Sequence, residues 1–252
     1  MNYVNIKVNI YSKFAIVEIS NSKNNALDTK TIIELVNCLK KLSKNETLSC
    51  IAIKGNNKFF SPGADIKELS RITKSEAKKS KLFSHIDEIQ KIKIPIIALV
   101  EGYALGGGFE LALTADIIIA SENAKFGLPE INIGLIPGIG GTQKLKKVTS
   151  KKNIKYLAMS GNIIDSITAK ELGIVSLIFK NENFNDDSID FLKNISSKPK
   201  FSLQEIKRLI NLDFKFKKAL KEERNTFYKL LDSKNKKIGI QSFLKKKIPE
   251  WE

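Results

Sequence analysis

The apolar run Ile94–Val100, entered through Pro95 and left through Gly102, constrains the fold of this chain more than any other feature. It falls far short of the roughly 18 uninterrupted apolar residues a membrane helix needs, and is long enough only for a buried strand. Directly after it, Gly106-Gly107-Gly108 leads into Phe109–Leu113, a segment of good helix formers. A further strand is expected at Ile117–Ala120. Strands that hand over to helices in this way predict α/β layering with parallel strands.

The same alternation runs through the first half of the chain. Val4, Ile6, Val8 and Ile10 share one face of a first strand, and Phe14–Ile19 follows as the second arm of a hairpin. In that arm Ala15, Val17 and Ile19 form a wholly apolar face. Phe14 and Ile16 share the other with Glu18, which marks it as the more exposed side. Asp28 is placed to cap a helix whose apolar positions run from Ile32 to Leu42, and Cys50–Lys54 reads as a strand ended by Gly55. A loop through Phe59–Gly63 leads to Asp65, where a short helix begins, and one helical segment fits Ser75–Lys91. After Gly141 helical patterns dominate, apart from a strand at Ile174–Phe179. The expected organisation is an α/β core over 1–195 followed by a helical region over 196–252.

Charge and scarce residue types narrow the function. A formal net charge of +16 raises the possibility of a polyanionic partner. Nucleic acid fits poorly, because arginine occurs only at Arg71, Arg208 and Arg224, and lysine lacks the bidentate fork suited to bases and phosphates. Cys38, Cys50 and the lone His85 form no zinc pattern, so no metal is implied, and both thiols read as small buried hydrophobes. A serine-hydrolase triad would need His85 as its base, and no nucleophile-elbow motif accompanies it. The alternating N-terminus carries neither a secretory nor a transit signal, which gives a cytoplasmic expectation.

Chemistry concentrates in two glycine-rich stretches, Ser61-Pro62-Gly63-Ala64-Asp65 and Gly102–Glu110, each between a strand and a helix. Helix N-termini offer unspent N–H donors, so two such ends could converge on one anionic oxygen. Two tight turns that merely need glycine fit the same pattern. Glu110 follows the triple glycine, and Glu130 follows Pro129. Either could be a carboxylate that simply complements a helix N-terminus. Glu110, flanked by Phe109, Leu111, Ala112 and Leu113, belongs to a helix that looks buried nearly all round, and a buried carboxylate needs a reason.

These residues, taken in order, resemble the enoyl-CoA hydratase/isomerase, or crotonase, family. The resemblance runs through Asn25-Ala26-Leu27-Asp28, Ser61–Lys67, Ile97–Glu110, Ala115-Asp116, Phe126–Glu130 and Gly134–Thr142 to the tail Gln241–Lys247. It implies a spiral of ββα units with a helical C-terminal trimerisation region, assembled as a homotrimer or a dimer of trimers, that is, a hexamer. It further implies that the N–H groups of Ala64 and Gly107 hold a thioester oxyanion, with Glu110 activating water at C3 and Glu130 exchanging the proton at C2. Ala26, Leu27, Asp65, Ile66 and Lys67, with Lys246 from a neighbouring subunit, would meet the coenzyme A part of an acyl-CoA substrate. The reaction implied is reversible hydration of a trans-2-enoyl-CoA, with no separate cofactor. A Δ3,Δ2-enoyl-CoA isomerase relying mainly on Glu130 is the nearest alternative, and an RNA-binding protein on the same scaffold a more distant one.

Overall fold

The computed structural model describes residues 3–251 apart from 23 and 82. Positions 1 and 2 of the alternating N-terminus, Leu82 of the helical segment and Glu252 lie outside the described residues.

In chain order the first half runs β1 (Ile6–Ile10), β2 (Phe14–Ile19), α1 (Thr29–Leu42), β3 (Cys50–Lys54), β4 (Phe59–Ser61), α2 (Ile66–Leu69), α3 (Lys74–Ser80) and α4 (Ser84–Asp87). It continues with β5 (Ile96–Val100), β6 (Tyr103–Leu105), α5 (Gly107–Ala112), β7 (Ile117–Ser121) and β8 (Lys125–Gly127). Then come α6 (Gly141–Leu145), α7 (Lys151–Ser160), β9 (Ile163–Asp165), α8 (Ser166–Glu171) and β10 (Leu177–Phe179). The helices α9 (Phe184–Ser196), α10 (Lys200–Ile210), α11 (Phe216–Leu231) and α12 (Lys234–Leu244) finish the chain.

Two sheets emerge. One has the order β1-β2-β3-β5-β7-β10 and the other β4-β6-β8-β9. β1 and β2 form the antiparallel hairpin, with Val8 opposite Val17, and from β2 onward the larger sheet is parallel. Successive strand pairs β3/β4, β5/β6 and β7/β8 each give their first strand to the large sheet and their second to the small one. The chain thus climbs as a spiral of ββα units, and α2, α5 and the 3₁₀ turn Pro129–Ile133 all start at the end of the small sheet's strands.

Several local expectations need correction, among them the single strand Ile174–Phe179 after Gly141: β9 also lies there, and β10 covers only Leu177–Phe179. Phe14 and Ile16 are buried, because α9 covers that face of the large sheet and packs Phe184 and Leu192 against Phe14, Cys50, Ile97 and Ile119. Ser75–Lys91 is not one helix: α3 starts at a Thr73–Glu76 capping box and ends at Lys81, whose left-handed φ of 52° turns the chain before α4 and the 3₁₀ turn Glu88–Lys91. The stretches expected to be loop and turn, Phe59–Gly63 and Gly102–Gly106, contain β4 and β6. Cys38 and Cys50 are free and buried, as expected. No helix among the described residues is long and apolar enough to cross a membrane.

Candidate active site

The edge where the small sheet meets α5 is built by glycine. Gly63 has φ +101°, and a Cβ there would stand 2.8 Å from Leu105 O, so only glycine lets this loop press against β6. Gly108 is tighter still: a Cβ would meet Ser61 O at 2.1 Å, which fixes α5 directly on β4. Leu27 forms a parallel bridge with Ala64, in which Leu27 N donates to Gly63 O at 2.7 Å and Asp65 N donates to Leu27 O at 3.4 Å. Gly63 O and the Ala64 N–H belong to one trans peptide and point opposite ways, so with Gly63 O on Leu27 N the Ala64 N–H faces away from Leu27. The position a Cβ would take on Gly107 is 3.6 Å from Ala64 N, and the one on Gly63 is 3.1 Å from Gly107 N. Gly107 opens α5, so its N–H has no partner within the helix. The N–H groups of Ala64 and Gly107 therefore stand side by side at the positive end of α5.

Two carboxyl groups flank this pair in contrasting surroundings. Glu110, on the first turn of α5, is 1% exposed, and its Oε1 accepts from Ile139 N at 2.8 Å and Gly141 N at 2.6 Å. Burial pushes its carboxyl above the ordinary range, while those N–H groups and the Lys144 ammonium pull the other way. Glu130 lies in the 3₁₀ turn Pro129–Ile133, and a Cβ on Gly106 would stand 3.1 Å from its Oε1. Neither carboxyl oxygen of Glu130 has a hydrogen-bond partner among the described residues, and both are buried. Burial lifts this carboxyl to about 7; its own backbone N–H acts against that rise, and the charge on Glu110 adds to it. One carboxylate is held by donors and the other is kept poised between its two forms, a division suited to a base and an acid acting on one substrate.

The remaining sequence-derived positions fall into two groups. Ala26 and Leu27 are buried beside Ala64, Asp65 caps α2 by accepting from Lys67 N at 2.9 Å, and Ile66 and Lys67 stand exposed on α2. The Leu27–Ala64 bridge sets the segment around Ala26 and Leu27 beside the start of α2. Lys246 is on a different element, exposed after α12 with φ 53°. Reasoning from sequence missed the loop 138–141 that grips Glu110, together with Lys144, whose Nζ donates to Glu110 O at 3.2 Å and to Thr114 Oγ1 at 2.6 Å. The run Gly138-Ile139-Gly140-Gly141 was the visible signal for such a loop, but nothing in it announced which side chain it would meet. Phe83, from the turn before α4, lies against the same loop, 3.3 Å from the position a Cβ on Gly138 would take.

Known proteins share this architecture. A sequence model of the enoyl-CoA hydratase/isomerase family matches residues 9–252. A probable mitochondrial enoyl-CoA hydratase of Dictyostelium discoideum is 35% identical over 90% of this chain and 83% of its own length. A probable enoyl-CoA hydratase of Mycobacterium leprae (strain TN) is 32% identical over 100% of this chain and 99% of its own. Among solved structures, an enoyl-CoA hydratase subunit I of Geobacillus kaustophilus HTA426 superposes with a TM-score of 0.94 at 32% identity, covering 99% of this chain and 98% of that one. The expected ββα spiral with a helical C-terminal region is thus the fold of the molecule.

Proposed function

From the premise that this chain belongs to the enoyl-CoA hydratase/isomerase family, we propose that it catalyses the reversible hydration of trans-2-enoyl-CoA to 3-hydroxyacyl-CoA. The observation that carries this reading is the pairing of a donor-held Glu110 with a Glu130 that has no hydrogen-bond partner among the described residues, beside the adjacent N–H groups of Ala64 and Gly107. The thioester carbonyl oxygen accepts from Ala64 N–H and Gly107 N–H, which stabilise the enolate as charge develops, each donor worth roughly 3 kcal/mol in the transition state. Glu110 takes a proton from water as its oxygen bonds to C3, and Glu130 delivers its proton to C2. Electrons move from the water oxygen through the double bond to the thioester oxygen and return as C2 is protonated, so no redox change occurs. This reading therefore includes neither a metal nor a redox cofactor, and coenzyme A enters as part of the substrate.

Ala26, Leu27, Asp65, Ile66 and Lys67 are taken to border the coenzyme A portion, with Lys246 reaching it from another copy in a homotrimer or hexamer. Exposed apolar side chains on α10–α12 support that assembly. Location in the cytoplasm and the absence of a nucleic-acid role complete the reading. An isomerase that moves a proton between C2 and C4 would need only one mobile carboxyl, and the elaborate grip on Glu110 favours hydration. The test is loss of the conjugated thioester absorbance when the protein meets crotonyl-CoA. Rapid loss, abolished by Glu110→Gln and by Glu130→Gln, is expected; folded protein inert toward crotonyl-CoA and longer 2-enoyl-CoAs, yet active on a 3-enoyl-CoA, would make it an isomerase.

A further inference from the structure

Glu110 is gripped from two sides by one short stretch of chain. Ile139 N and Gly141 N hold its carboxylate, while Lys144, three residues further along, donates through Nζ to its backbone carbonyl at 3.2 Å. That carbonyl lies near the end of α5, where the helix stops supplying amides. Thr114 Oγ1 also donates to it at 2.9 Å and in turn accepts from Lys144 Nζ at 2.6 Å. The stem of Lys144 folds back over the loop: a Cβ on Gly140 would stand 3.3 Å from Lys144 Cε. Gly138, Gly140 and Gly141 leave this loop wide conformational freedom, so the aim of its donors depends on what packs against it.

We infer that Lys144 is a positioning residue of this site: by tying Gly140 to the Glu110 carbonyl, it keeps the Ile139 and Gly141 N–H groups on the Glu110 carboxylate. The link to catalysis rests on the hydratase reading, whereas the grip itself does not. The charged groups facing Lys144 are Glu110 on α5 and Asp87 on α4, and Glu130 in the turn Pro129–Ile133 faces Glu110. Lys144 is the cation of this cluster. Its charge opposes the protonation that burial imposes on Glu110.

Lys144→Met keeps the stem and removes the ammonium, while Lys144→Arg keeps charge and donors. For crotonyl-CoA hydration, Lys144→Met should lower kcat about tenfold to a hundredfold, as for a misaimed catalytic group, with KM within about twofold. The acid limb of its pH profile should move to higher pH, and the amides of Ile139 and Gly141 should exchange hydrogen faster. Lys144→Arg should restore the limb and much of the protection. A folded Lys144→Met variant with wild-type kcat, acid limb and exchange overturns the inference, even if its Tm falls. Should that variant not fold, Thr114→Val removes the hydroxyl that anchors the ammonium and must give the same shifts at smaller size; no shift sinks the idea. If the wild-type protein hydrates no 2-enoyl-CoA, the hydratase reading fails by itself. Amide exchange then decides the grip alone: faster exchange in Lys144→Met upholds it and unchanged exchange ends it.

Discussion

Glu130 holds two buried carboxyl oxygens with no hydrogen-bond partner among the described residues, a condition that destabilises its charged form and suits a proton donor. Glu130→Gln keeps the shape and removes the proton, so hydration of crotonyl-CoA should fall by about 10²–10⁴-fold. The charge on Glu110 adds to the rise at Glu130, and the proposed mechanism needs one proton between the two carboxyls. On the proposed mechanism that proton starts on Glu130 in the hydration direction and on Glu110 in dehydration. The kcat/KM profile should therefore be bell-shaped in both directions, with the alkaline limb near about 7. A rate that stays flat from well below to well above that value would refute the assignment. Stability follows the same group. The Glu130 pKa is raised in the folded state from 4.5 to about 7, so the folded chain binds this proton more tightly than the unfolded one. Its contribution is fully present below 4.5 and is lost as pH rises through about 7. Glu130→Gln removes that loss, so its Tm should gain on the wild type as pH rises across this window and hold the gain above it. Thermal melts of both proteins across the range measure this, and a constant Tm difference would contradict it.

At the scale of elements, the junction of β4 and α5 carries the site, and Gly108 is its tightest point. Gly108→Ala would force a methyl to within 2.1 Å of Ser61 O, so α5 must lift from β4 and carry the Gly107 N–H away from that of Ala64. The cost should be about 1–3 kcal/mol or more of stability by urea unfolding, with a drop in kcat beyond what the unfolded fraction explains. A variant with unchanged kcat would show that the donor pair tolerates displacement. How much of this junction could be read from sequence depends on element length. α1 and β5 were legible because fourteen and five residues give a period or a continuous apolar run. β4, β6, β8 and β9 have three residues each, too few to show an alternation, and so the whole second sheet escaped notice. The burial of Phe14 and Ile16 was hidden for another reason, because their cover, α9, arrives about 170 residues later and only tertiary packing reveals it. The N–H pair and both glutamates were legible through motif order, whereas the partners of Glu110 were not, since the loop 138–141 meets it across the fold.

On the scale of the whole molecule, the C-terminal helices are attached to the core at few places and leave most of their apolar surface uncovered. Lys207 on α10 pairs with Asp116 Oδ2 at 2.7 Å and donates to Ile94 O at 3.1 Å, while Asp116 also accepts from Ile96 N. Both side chains are largely shielded, so Lys207→Met should cost about 2–3 kcal/mol, measured by urea unfolding. A second tie joins Lys200 to the carbonyls of Asn45 and Glu46 in the turn that follows α1. Beyond these anchors, α10 and α12 bury no residue and α11 buries only Thr226. Phe216 is 81% exposed, Phe243 83% and Leu244 74%, on helices that are otherwise rich in lysine. Aromatic and aliphatic side chains of this size seldom crowd one end of a stable monomer unless another surface covers them. A second copy of the chain is the occupant that the homotrimer or hexamer reading supplies. Sedimentation equilibrium at micromolar concentration should then return three or six times the 28.2 kDa of one chain. Phe243→Asp, at the far end of α12, should shift that mass downward, and with it the affinity for the coenzyme A portion if Lys246 acts across the interface. A 28.2 kDa species with full hydratase activity would separate the two ideas, leaving the active site self-sufficient and the exposed face for some other partner.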